Sequence, residues 1–198
     1  MRRQVSSMLL CGAMIMAGSG MLAAQKGSEG LPSVPKLEVA ITYNPMLAGV
    51  ITSHSFWMNG ATIQWEGRFY KGLGVVTDIS GLANGNANSS GVGLDLVTET
   101  FGPRYTITPS HQKKYEFYGQ ALLGNTNGFN SIFPHVYGYT SSAQSIAVVA
   151  GGGMNIRQSP RLAWRLFEAD WLRTQVPNAT TNAQNDLRLG FGIVYRVW

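Results

Sequence analysis

Asp186-Leu187-Arg188-Leu189-Gly190-Phe191-Gly192-Ile193-Val194-Tyr195-Arg196-Val197-Trp198 closes the sequence and decides how the rest of it is read. Side chains alternate between two faces along a strand. Leu189, Phe191, Ile193, Tyr195 and Val197 therefore share one face, while Arg188, Gly190, Gly192 and Arg196 share the other. One face is apolar; the other is charged or bare. The run ends on an aromatic residue. Behind an N-terminal export signal, a closing strand of this kind points to a β-barrel whose outer face meets lipid.

The export signal is read from the first residues. Arg2 and Arg3 give a positive start, Met8 to Leu22 is mostly apolar, and Ala23-Ala24 offers small residues before Gln25. That pattern is a secretory signal cleaved after Ala24, although Leu22 stands where a smaller residue is usual. An uncleaved anchor is disfavoured, because the stretch is short and glycine-rich for a span of about 20 apolar residues. A lipid-modified Cys11 is disfavoured by the bulky Leu10 before it. The expected organisation is a signal over 1–24, a short linker over 25–36 and a barrel domain over 37–198. Cys11 leaves with the signal, so no disulfide is expected in the mature chain.

Composition narrows the class. Losing Arg2 and Arg3 lowers the formal charge of +5 by two, to +3. That is mild, and no basic cluster with interleaved aromatics argues for nucleic acid. Charged residues make up 13% of the chain, against roughly 25% in soluble domains. With 24 glycines, 11% aromatics and no second long apolar run, the chain does not read as a helical membrane protein. It reads as one whose surface is partly lipid.

Eight strands are expected, at about 37–46, 57–69, 72–81, 91–105, 113–124, 143–157, 161–174 and 185–198. The second has the clearest interior alternation: Ala61, Ile63, Trp65, Gly67 and Phe69 against Thr62, Gln64, Glu66 and Arg68. The fourth is less clean, with Asp95 and Glu99 in one phase and Leu94 and Leu96 in the other. The sixth centres on Gly151-Gly152-Gly153, glycines that would let the wall bend or a bulky interior side chain approach. The phase of the seventh slips near Phe167, which places a β-bulge there. These runs follow a period of 2, not 3.6.

The connections alternate in length. Gly81 to Ser90, Asn125 to Ser142 and Gln175 to Gln184 are long and polar, whereas Tyr70-Lys71 and Gln158-Ser159-Pro160 are tight. Thr106 to Gln112 is the exception, being moderately long. Outer-membrane barrels have short periplasmic turns, long external loops and an even strand count. Unpaired backbone groups are costly in lipid, so the sheet must close. The expected fold is all-β: an eight-stranded antiparallel up-and-down transmembrane β-barrel with both termini periplasmic.

Such a barrel is just wide enough for side chains to fill. Glu38, Glu66, Arg68, Glu116, Arg165, Asp170, Arg188 and Arg196 are expected to meet in its lumen and to pair, because isolated charges there would be costly. A salt-bridged plug is favoured over a selectivity filter. Trp57, Trp65, Phe69, Trp164, Trp171, Tyr195 and Trp198 are read as interfacial aromatics.

Phe101-Gly102-Pro103-Arg104-Tyr105, Tyr118-Gly119-Gln120-Ala121-Leu122-Leu123-Gly124, Ala150-Gly151-Gly152-Gly153-Met154, Arg165 through Asp170-Trp171-Leu172-Arg173 and the closing strand carry a resemblance. From Leu37 to Trp198 the chain resembles the small outer-membrane β-barrels of the OmpA-like and opacity-like, porin-type kind. The resemblance implies residence in the outer membrane of a Gram-negative-type envelope, among outer-membrane lipid, and insertion by the barrel-assembly machinery. Trp198 departs from the pattern, being in phase with Arg196 and not with Val197.

Catalysis finds little support. His54, between Ser53 and Ser55, has no carboxylate placed to orient it, and His111 reads as a turn residue. No metal-ligand cluster or phosphate loop is present in the sequence. No cofactor, metal or enzymatic activity is expected. The expected role is structural or surface-interacting, through external loops that meet a ligand or partner. A narrow porin-like channel for ions or small solutes is the alternative, and a soluble periplasmic barrel of lipocalin shape is the third reading. Which face the charges occupy separates the last from the first.

Overall fold

The computed structural model describes residues 36–50, 55–87, 91–109, 114–178 and 182–197. The expected signal, nearly all of the expected linker, His54, His111 and Trp198 lie outside the described residues. Ten strands are formed: β1 (Lys36–Ala48), β2 (Phe56–Tyr70), β3 (Leu73–Asn84), β4 (Leu94–Ile107), β5 (Tyr115–Phe129), β6 (Phe133–His135), β7 (Gly138–Thr140), β8 (Ala143–Arg157), β9 (Leu162–Thr174) and β10 (Gln184–Arg196).

Eight of them close a barrel in the order β1-β10-β9-β8-β5-β4-β3-β2, every neighbour antiparallel. The closing seam pairs Val39 with Tyr195, Ile41 with Ile193 and Tyr43 with Phe191. The Tyr43 and Phe191 rings meet edge to face, 5.4 Å apart. The architecture is the one expected from the alternating runs. β6 and β7 stand apart as a small hairpin in the connection between β5 and β8.

The two faces of the wall are inverted relative to a water-soluble domain. Ile41, Phe101, Leu123, Trp164 and Phe191 are about half exposed or more on the outside, while Glu116, Asp78, Asp170 and Arg188 are buried within. Charged side chains are almost never fully buried unless paired. Large apolar residues ring the outer surface instead, the pattern of a wall bathed in hydrocarbon.

Turn chemistry explains the short links. Lys71 and Gly72 both adopt positive φ, 36° and 90°, as a two-residue hairpin turn matched to strand twist requires. At the other tight link, the N–H groups of Gln158 and Ser159 both donate to the Leu162 carbonyl, each at 2.9 Å.

The bulge in β9 falls one residue before the expected position. Met154 pairs with Phe167 and Asn155 with Arg165, leaving Leu166 as the extra residue. On the other side the register slips between Gly190 and Gly192. Leu166 and Phe167 both point outward. The slip lets Arg165 and Glu168, three residues apart, both face the interior. Deleting Leu166 restores strict alternation without moving any inward residue to the outer face. Such a variant is expected to fold to a heat-modifiable barrel with less than about 2 kcal/mol lost. Deleting Trp171 from the same strand inverts every face on one side of the cut and is expected to abolish the folded band.

One expected boundary needs correction. β5 was expected to stop at Gly124, with Asn125–Ser142 as a loop; it runs on to Phe129, and β6 and β7 lie inside the rest. In β4, Asp95 and Glu99 share the outward phase, across from Phe129 and Asn125, and Leu96 the inward one, as their alternation reads. The reason is physical. Strands of 12–15 residues exceed the roughly 9–11 needed to cross the hydrocarbon. Past the lipid edge the outer face turns polar, and the apolar signal vanishes while the ladder continues.

Candidate functional site

Alternate residues of all eight barrel strands point inward, and at this strand number they fill the space. Toward the end where β1 begins and β10 ends, the filling is charged. Arg68 bridges Glu38 (2.7 Å) and Glu66 (2.6 Å). Arg196 holds Glu38 at 2.6 Å and also pairs with Glu116, which takes Arg157 at 2.7 Å. One layer further in, Arg104 reaches Glu66 at 3.0 Å and Arg165 pairs with Glu168.

Arg188 lies above them, with no exposed surface. It grips Asp78 with two nitrogens, at 3.0 and 2.9 Å, and Asp170 with one, at 2.8 Å. A guanidinium fork suits this bidentate geometry, which an ammonium cannot copy.

Neutral side chains stitch the ion pairs together. Gln64 donates to Asp78 and Glu168 and accepts from Arg104 and Arg165. Gln120 donates to Asp170 at 3.0 Å and accepts from Arg104. The Tyr118 hydroxyl donates to Glu168 at 2.6 Å, and the guanidiniums of Arg104 and Arg165 lie 4.2 and 4.8 Å from its ring centre, within cation–π range. Gly153 faces that ring. A Cβ there would sit 2.6 Å from the tyrosine oxygen, so the bare position makes room for it.

The arrangement neutralises itself. Arg68, Arg104, Arg157, Arg165, Arg188 and Arg196 stand against Glu38, Glu66, Asp78, Glu116, Glu168 and Asp170, and every one of them has an opposite partner. An unpaired ion in such surroundings costs several kcal/mol. The whole set is therefore stable only as a set.

Toward the end with the long connections the filling changes. Met46, Met58, Leu82, Leu96 and Leu172 belong to a buried apolar cluster. The inward face is therefore not polar along its whole height. Met46, Leu96 and Leu172 share the inward phase with polar residues of the same strands.

At that same end β6 and β7 are pinned by Phe133, which is buried. A Cβ on Gly128 would collide with its ring. The tip beyond it carries Val136, Tyr137 and Tyr139, all largely exposed. Tyr137 lies beside His135, ring centres 6.3 Å apart.

The closed eight-strand topology has counterparts among solved structures. One is Ail, the attachment invasion locus protein of Yersinia pestis, crystallised with the heparin analogue sucrose octasulfate. It is 17% identical over 82% of this chain and 98% of that chain, with a TM-score of 0.55. Another is the Neisserial surface protein A (NspA), 15% identical over 80% of this chain and 96% of that one, with a TM-score of 0.59. This chain has the fold of the small outer-membrane β-barrels. No family model and no curated protein matches the sequence.

Within this small outer-membrane barrel fold, Glu38, Glu66, Arg68, Glu116, Arg165, Asp170, Arg188 and Arg196 all lie on the inward face. Sequence reasoning missed Asp78, Arg104, Arg157 and Glu168 as members of the network. The parity of β3 places Asp78 beside Val76 and Gly74, and that of β4 places Arg104 beside Gly102. Counting in steps of two was enough to find both. Glu168 needed the bulge as well, since only the slip at Leu166 lets it share a face with Arg165.

Proposed function

We propose that this chain is an integral outer-membrane barrel, exported by a cleaved signal over residues 1–24 and preceded by a short linker over 25–36, with both termini periplasmic. Its lumen is closed, it carries no catalytic centre, and it works by presenting its long connections at the cell surface. The self-neutral network of the lumen, capped by an apolar layer, carries this reading. Ions meet two successive barriers: a region where every charge already has a partner, and a dry layer of Met46, Leu82, Leu96 and Leu172.

The two ends of the barrel support the orientation. Lys71, Lys114 and Arg161 lie at the end with the short turns, and Lys71 sits over the Tyr70 ring at 5.2 Å. The long connections 49–55, 85–93, 130–142 and 175–183 contain no Lys or Arg. The sulfated ligand of Ail is therefore not carried over to this chain. Exposed Val136, Tyr137 and Tyr139 suit an apolar or aromatic partner better, since tyrosine supplies amphipathic area at low entropic cost. Insertion by the barrel-assembly machinery, with β10 as the closing strand, belongs to the same reading.

Planar-bilayer recording tests it, on protein first shown to fractionate with the outer membrane and to shift mobility on boiling. No steady conductance is expected, and Arg104→Ala alone is expected to stay closed, because the apolar layer remains intact. A stable conductance in the unaltered protein overturns the plug in favour of a narrow channel. A soluble periplasmic protein with no heat shift overturns the membrane reading altogether.

A further inference from the structure

A cup opens at the long-connection end of the barrel, with a volume of about 520 Å³, inside the roughly 300–1,000 Å³ range of small-molecule sites. Phe56, Leu94, Ile132, Phe133, Tyr139 and Val176 give it an apolar wall. One carboxylate lines it. Asp186, an inward residue of β10, is only 3% exposed.

The situation of Asp186 differs from that of the inward carboxylates deeper in the barrel. Each of those meets a guanidinium, whereas among the described residues no Lys or Arg pairs with Asp186. The Gly49 N–H donates to its Oδ1 at 2.8 Å. The polar side chains nearby are engaged with one another: Thr174 Oγ1 donates to Gln184 Oε1 at 3.1 Å, and Gln184 Nε2 donates to the Val176 carbonyl at 2.8 Å. A carboxylate in an apolar wall without a cation is costly, and a charged donor is its strongest partner.

We propose that this cup binds a small amphiphile with an apolar body and a protonated amine, the ammonium on the Asp186 carboxylate and the body against Phe56, Leu94 and Phe133. An anionic head is repelled, and a neutral one forgoes the charge. The site rests on the barrel reading, in which this end faces outward.

The test uses the full chain in lipid nanodiscs, after a heat-shifted band has shown that it is folded. Phenylbutylamine, phenylbutanol and phenylbutyrate share one apolar body and differ in the head group. Amide NMR is expected to show saturable amine shifts at Gly49, Asp186 and Phe133, with the alcohol about tenfold weaker, the worth of one charge-assisted hydrogen bond. Phenylbutyrate is expected to give no shift there. Asp186→Asn is expected to bring the amine to the level of the alcohol, and Val92→Trp, which fills the cup, to remove both. Equal affinity of amine and alcohol in the unaltered protein overturns the proposal, as does a folded barrel with no saturable shift for any probe. Absence of the heat-shifted band overturns the barrel reading, and the site with it.

Discussion

Arg188→Leu is expected to lower the folding free energy of the barrel by about 3–5 kcal/mol, the cost of removing one partner from a buried ion pair. Arg188 has no exposed surface and neutralises two carboxylates at once, Asp78 by two nitrogens and Asp170 by one. Leucine leaves both uncompensated in a dry interior. Arg188→Lys keeps the charge but loses the fork, and about half the damage is expected. Adding Asp78→Asn to Arg188→Leu is expected to recover part of the loss, because it removes one of the two orphaned charges; the pair is strongly non-additive. Urea titrations of protein folded into lipid vesicles measure all three. A loss below about 1 kcal/mol for Arg188→Leu would show that water or rearrangement screens the site, and the closed network would be wrong.

The second large effect lies on the opposite face. Ile41 points outward between Ile63 and Ile193, near the middle of the apolar runs of β1 and β10. Ile41→Arg is expected to cost about 2–4 kcal/mol, the penalty for arginine at the bilayer midplane. Asn125 is also outward, but beyond the apolar stretch of β5, across from Glu99. Asn125→Arg is expected to cost roughly 0–1 kcal/mol. The difference between the two measures where lipid ends. In a water-soluble barrel both substitutions would be close to neutral, so equal values from the same vesicle titrations would contradict a hydrocarbon environment outside.

These two experiments probe the features that were most and least legible in the sequence. Ile41, Ile63 and Ile193 announce the outer face directly, because alternation is a local property of each strand. Glu66 and Arg68 announce the inner face in the same way. The bulge in β9 was visible as a slip of phase to within one residue, at Leu166 and not Phe167. The continuation of β5 through Asn125 and Asn127 was not visible. A strand that has left the lipid keeps its hydrogen bonds but loses the contrast between its faces, and its asparagines then look like loop.

The sequence by itself determined the strands, their two faces, the long and short connections and hence a barrel turned inside out. Each of these follows from neighbours a few residues apart. Only the tertiary structure decided which charges meet. Arg188 and Asp78 are 110 positions apart, and Arg165 and Gln64 are 101 apart. Closure and strand stagger set the height of every inward side chain, and no local pattern encodes that height. The same stagger gathers Met46, Leu96 and Leu172 into one dry layer, and leaves Asp186 above it, without a guanidinium partner among the described residues.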